Sequence, residues 1–118
     1  MWIAHDQGRE LLGDIPDGVR IEVCSDPELL GRVRRLGSRL AGAVRSLPYV
    51  REVRGRGLMI GIDLDPRIDA AALARRALLE QRLVVNATGP ATIRLEPPLV
   101  VSESEIDEAV ARLEALAP

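Results

Sequence analysis

Apolar residues recur at steps of four and three through Leu29, Val33, Leu36, Leu40, Val44 and Leu47, which predicts an amphipathic helix running to Pro48. Ser25 or Asp26 can cap it, and Pro27 stands at the first helical position, where its missing N–H costs nothing. Before it, Asp14-Ile15-Pro16-Asp17-Gly18 reads as a turn. Val19, Ile21 and Val23 then alternate with Arg20, Glu22 and Cys24, as in a half-buried strand. After the helix, Val50 to Arg54 alternates, Gly55-Arg56-Gly57 punctuates, and Leu58 to Leu64 forms a strongly apolar strand. A second helix is expected over roughly 69–81, with Leu73, Ala77 and Leu78 inward. Leu83-Val84-Val85-Asn86 reads as a short strand, Thr88-Gly89-Pro90 as a turn, and Thr92 to Leu95 as another strand, stopped by Pro97-Pro98. Ser102-Glu103-Ser104-Glu105 has the form of a capping box, opening a helix that buries Ile106, Ala109, Val110, Leu113 and Leu116. The order strand, helix, strand, strand, helix, strand, strand, helix predicts an α/β (α+β) two-layer sandwich: helices packed on a small, mostly antiparallel sheet.

Composition narrows the function classes. At 118 residues, 47% hydrophobic and 29% charged, the chain suits one folded domain with an ordinary core. All 16 basic residues are arginine, and the net charge is −2, so no overall basic field favours nucleic acid. Aromatics are 2% with no Phe, which removes the stacking platforms of single-strand binders. No apolar run approaches the roughly 20 residues that span a bilayer, and nothing resembles a secretory leader, so the cytoplasm is the expected compartment. A lone Cys24 permits no internal disulfide. With no lysine anywhere, no side-chain amine can form a Schiff base.

Most chemical motifs weaken on inspection. Gly55 to Gly61 is no dinucleotide fingerprint, because Ile60 stands where glycine is needed and a strand follows instead of a helix. A tight turn needing positive φ in Gly55-Arg56-Gly57 and a close neighbour at Gly61 explain those glycines. Arg32, Arg35 and Arg39 fit a solvated helix flank better than a phosphate site. Cys24 and His5 lack a third partner for nucleophilic catalysis, and one His makes a poor metal site. Asp63, Asp65 and Asp69 lack the glycine and distal glutamate of a calcium loop, so turn and cap roles are expected. Arg94 is the exception. It sits on the strand Thr92-Ile93-Arg94-Leu95, before a rigid Pro-Pro turn, and its guanidinium needs a partner. Glu96, two positions on and on the same face, is one candidate; a substrate carboxylate held in a bidentate fork is the other.

Four segments together resemble the class III, pyridoxal-phosphate-dependent aminotransferases of the acetylornithine, ornithine and putrescine type. Val53-Arg54-Gly55-Arg56-Gly57-Leu58-Met59-Ile60-Gly61-Ile62-Asp63-Leu64 is similar to their VRGxGLMxGIEL segment, and Leu83 to Asn86 to their GLLVN strand. Thr92 to Leu99 resembles IRLxPPL, and the helix from Ser102 resembles SEEEIDEAV. The resemblance covers 26–118, read as a domain like the family's C-terminal small domain, while 1–25 is a segment of unclear role. It implies that Arg94 binds the carboxylate of glutamate or 2-oxoglutarate, and that the cofactor lysine, the pyridine aspartate and the phosphate loop belong to a large domain. Catalytic, cofactor-binding and metal residues are therefore expected to be none in this chain, which would bind no cofactor alone and take part in pyridoxal-phosphate chemistry only when completed by a large-domain partner. The family is dimeric, which implies a homo-oligomer; a small amino or keto acid is the implied ligand, without nucleic acid or membrane. Glu96 departs from the acetylornithine pattern toward the putrescine-type IRIEPPL, and Arg82 stands where glycine is usual. The alternative is a non-catalytic amino- or keto-acid-binding or dimerisation module, or a gene remnant.

Overall fold

A computed structural model describes residues 25–118; the strand expected at 19–23, Cys24 and His5 lie outside the described residues. The chain divides into two compact units at Leu30/Gly31, and of the first the described part is the opening of one helix. That helix, α1 (Pro27–Arg45), is capped by Asp26 rather than Ser25: Asp26 Oδ1 accepts from the Glu28 N–H at 3.0 Å.

The second unit, residues 31–118, contains a four-stranded antiparallel sheet made of β1 (Val50–Arg56), β2 (Met59–Leu64), β3 (Asn86–Gly89) and β4 (Thr92–Leu95) in the order β1-β2-β4-β3. The remaining helices are α2 (Ala70–Gln81) and α3 (Glu103–Glu114). Alternation decides which face is covered. Ile60, Ile62 and Leu64 of β2 and Ile93 and Leu95 of β4 are buried with Leu36, Leu40 and Val44 of α1, Leu73 and Ala77 of α2, and Ile106 and Leu113 of α3. Three helices on one face of a small antiparallel sheet make the expected two-layer sandwich. With an almost purely aliphatic core, its polar pin is Tyr49, whose hydroxyl donates to the Leu113 carbonyl at 2.6 Å and ties the start of β1 to the end of α3.

Two close fits set the helix-to-sheet spacing. Gly57 turns β1 into β2 with φ +51°, a conformation that favours glycine. Gly37 of α1 packs against the Gly57 carbonyl, and a Cβ at Gly37 would collide with that oxygen. Gly61 differs from the expectation of a close neighbour: a Cβ there would make only ordinary contacts, with Arg54 O at 3.6 Å and Arg54 Cγ at 3.7 Å.

Around α2 the structure departs from the sequence pattern. Asp69 caps the helix, its Oδ1 accepting from Ala71 and Ala72 at 2.8 and 3.0 Å. At the other end Arg82 adopts a left-handed conformation, φ 52°. Its N–H reaches Leu78 O at 3.1 Å while Leu83 N–H reaches back to Ala77 O at 2.9 Å, so a left-handed cap satisfies carbonyls of the last turn. The cap commits Leu83, so the strand expected at Leu83–Asn86 begins instead at Asn86 and runs through Thr88 and Gly89, moving the turn to Pro90–Ala91. Leu78 is not inward but 52% exposed, because Ala70, Leu73 and Ala77 form the buried face. The expected capping box of α3 is formed: Glu105 N–H donates to Ser102 Oγ at 3.2 Å and Ser102 N–H to Glu105 Oε2 at 2.8 Å. No described helix is long and apolar enough to cross a membrane.

Candidate functional site

The sheet face opposite the helices carries the polar side chains. On β4, Ile93 and Leu95 turn into the core, so Thr92 and Arg94 turn to this open face. The register then fixes the neighbours of each. Arg94 lies between Gly61 of β2 and Asn86 of β3, and Gly61 in turn pairs with Arg54 of β1. One row across the sheet is therefore Arg54, Gly61, Arg94 and Asn86. The row beside it sets Glu52 against Asp63 and Asp63 against Thr92.

Arg94 is placed on a rigid element with its side chain 41% exposed. Gly61 opposite has no side chain to fill the floor. Arg94 Nε and Glu96 Oε1 are 2.8 Å apart, within ion-pair distance, yet Nε is buried with no hydrogen-bond partner. The two observations agree if the N–H points away from the oxygen, so the pair is held by charge proximity and not by a directed bond. Among the described residues no hydrogen bond engages the terminal nitrogens of Arg94. The geometry offers a guanidinium fork in position to accept a planar carboxylate.

Beside it lies a network that sequence reasoning missed. Arg54 grips Asp63 in a bidentate pair, Nη1 to Oδ2 and Nη2 to Oδ1 (the latter 3.1 Å), and Thr92 Oγ1 donates to Asp63 Oδ1 at 2.8 Å. The hydrogen bond from Arg54, then that from Thr92, holds the Asp63 carboxyl below its ordinary value. The fork of Arg54 is thus already filled by an internal carboxylate, one strand-row from an Arg94 that lacks such a clasp. No sequence signal joins residues 54, 63 and 92 except the strand register.

The other sequence candidates separate. Asp65 pairs with Arg67 at 2.8 Å and Asp69 caps α2, so Asp63, Asp65 and Asp69 do not converge; no cluster of three metal-ligating residues occurs among the described residues. The arginine flank of α1 also disperses. Arg32 donates to the carbonyls of Leu99 and Val101, the former at 2.8 Å, while Arg39 pairs with Asp107 at 2.8 Å. Arg35 is exposed.

Comparison with known proteins agrees with the order of elements. The family model for aminotransferase class-III matches residues 18–116. The acetylornithine aminotransferase of Gloeobacter violaceus is 44% identical over 95 residues, covering 75% of this chain and 23% of that protein. Ornithine aminotransferase 1 of Staphylococcus aureus is 41% identical over 93 residues, covering 77% and 23%. In the crystal structure of N-acetylornithine aminotransferase from Stenotrophomonas maltophilia, a region 28% identical superposes with a TM-score of 0.76, covering 84% of this chain and 29% of that one. The chain spans about a quarter of the length of these relatives.

Proposed function

Because the chain belongs to the aminotransferase class-III family, we propose that it is the substrate-carboxylate-binding portion of a pyridoxal-phosphate-dependent aminotransferase, with Arg94 as the residue that holds the carboxylate. The observation that carries the reading is the position of Arg94 on a central strand, its side chain 41% exposed beside a side-chain-free Gly61, with no directed hydrogen bond engaging its guanidinium among the described residues. A carboxylate of glutamate or 2-oxoglutarate would receive two parallel N–H bonds from it. The ordered strand limits the rotamer entropy lost on binding. Glu96 is the internal competitor. A ligand carboxylate has to outbid a neighbour that is close but poorly directed, which sets affinity without occupying the fork.

The described residues do not fit the cofactor itself. There is no lysine to anchor it covalently. The aromatic side chain among the described residues is Tyr49, which is buried and donates to Leu113, so it cannot stack on a pyridine ring. Amino-group chemistry on a bound substrate therefore requires a large portion that brings the pyridoxal phosphate and the Schiff-base lysine. The part played by this chain is to bind and orient the carboxylate. Calorimetry of the 118-residue chain with 2-oxoglutarate tests this: measurable heat at millimolar ligand, lost in Arg94→Ala, is the expected result. Equal binding by the variant would transfer the site elsewhere and sink the proposal.

A further inference from the structure

On the side of the domain where α1 lies along β1, a groove of about 300 Å³ is lined by Arg34, Arg45 and Arg54 with no acidic side chain among its lining residues. Apart from Ile60 of β2, its walls are small: Gly37, Ser38 and Ala41 of α1 face Gly55 and Gly57 of the β1–β2 hairpin. Arg34, Ser38, Ala41 and Arg45 follow one another at helical spacing, so they share the groove-facing side of α1. Two cationic side chains of α1, Arg34 and Arg45, beside one concavity call for an explanation, because like charges gathered there repel; Arg54 meets the groove from β1, its head turned to the opposite sheet face. Arg54 is already neutralised by Asp63. Arg45 spends one N–H on the Val53 carbonyl, at 3.4 Å, and Arg34 has no hydrogen-bond or ion-pair partner among the described residues. Among the described residues, therefore, no carboxylate neutralises Arg34 or Arg45 at the groove.

We propose that this groove binds a small multivalent oxyanion, a ligand carrying two or more phosphoryl or carboxylate groups. Arg34 and Arg45 stand eleven positions apart, about 16 Å of helical rise, so even with both side chains reaching inward they engage separated anionic groups better than one compact ion. Guanidinium forks suit phosphoryl and carboxylate oxygens alike. The site is separate from Arg94, which does not line the groove.

The test is an amide NMR titration of the 118-residue chain with pyrophosphate and with citrate, at ionic strength matched by chloride. Saturable shifts at Ser38, Ala41, Gly55 and Gly57 are expected from at least one probe, and which probe binds tells phosphoryl from carboxylate. Arg34→Gln, an exposed change that leaves the fold intact, and Arg45→Gln should each weaken binding about tenfold, the size of one charge-assisted contact. Arg94→Ala should leave this binding unchanged. Absence of saturable shifts with both probes, or unaltered affinity in both glutamine variants, overturns the site. Shifts confined to Thr92–Leu95 and abolished by Arg94→Ala would also overturn it, by assigning the anions to the carboxylate fork instead.

Discussion

Arg54 and Arg94 show how neighbouring arginines on one sheet face can differ in availability. Arg54 is clasped by Asp63 through two bonds, whereas Arg94 sits 2.8 Å from Glu96 without an aligned N–H. Removing the competing charge should therefore help a ligand. Glu96→Gln is expected to tighten 2-oxoglutarate binding severalfold in calorimetry; weaker binding would mean that Glu96 instead orients the guanidinium. Arg94 was legible from the sequence because a charged residue interrupts a buried strand just before Pro97-Pro98. The Arg54–Asp63–Thr92 network was not, since its members are 9 and 29 residues apart and meet only through strand register. Arg82 carries a local penalty that sequence comparison anticipated. An L-residue in the left-handed region costs about 1 kcal/mol, and the contacts Arg82 provides there are made by its backbone. Arg82→Gly should accordingly raise the unfolding free energy by about 1 kcal/mol in urea titration.

Elements with strong local rules were readable, and those decided by competition between rules were not. The stripe of α1 and the capping box of α3 form as their spacing demands. Ser102→Ala should cost about 1 kcal/mol, the usual worth of an N-cap, read as a lower urea midpoint. The strand after α2 was misplaced because Leu83-Val84-Val85 has strand composition, while the left-handed cap of α2 claims the Leu83 N–H first. The contact of α1 with the hairpin was invisible to periodicity: Gly37 looks like a weak point in a helix, yet it is where α1 meets the Gly57 carbonyl. Gly37→Ala should destabilise by about 1–3 kcal/mol despite its better helix propensity, because the clash is with backbone that cannot swing away.

The whole molecule should be bounded in pH by different chemistries at its two ends. Hydrogen bonds from Arg54, Arg67 and Arg39 hold Asp63, Asp65 and Asp107 respectively below the ordinary value of 3.8. Carboxyls depressed by folding add stability above that value and lose it as pH falls through their folded values. These pairs are exposed, so each adds little and the acid limb should be shallow and salt-sensitive. At the alkaline end, burial pushes the Tyr49 phenol up to about 12 from 10.0, against a smaller opposing pull from Arg76. A group raised on folding contributes below its unfolded value and loses that contribution as pH climbs through the folded one, here between 10 and about 12. With one tyrosine and no lysine, phenolate absorbance follows this single group. It should titrate near 12 or together with unfolding, and a free transition near 10 would contradict the buried bond to Leu113.

Whether Arg94 receives a carboxylate is tested most directly by amide NMR of the 118-residue chain titrated with 2-oxoglutarate, run beside Arg94→Ala. Shifts that centre on Thr92–Leu95 and the facing Gly61, saturate, and vanish in the variant are the predicted result. No shift at millimolar ligand, or shifts that persist in the variant, would contradict a carboxylate site and leave Arg94 as a structural partner of Glu96.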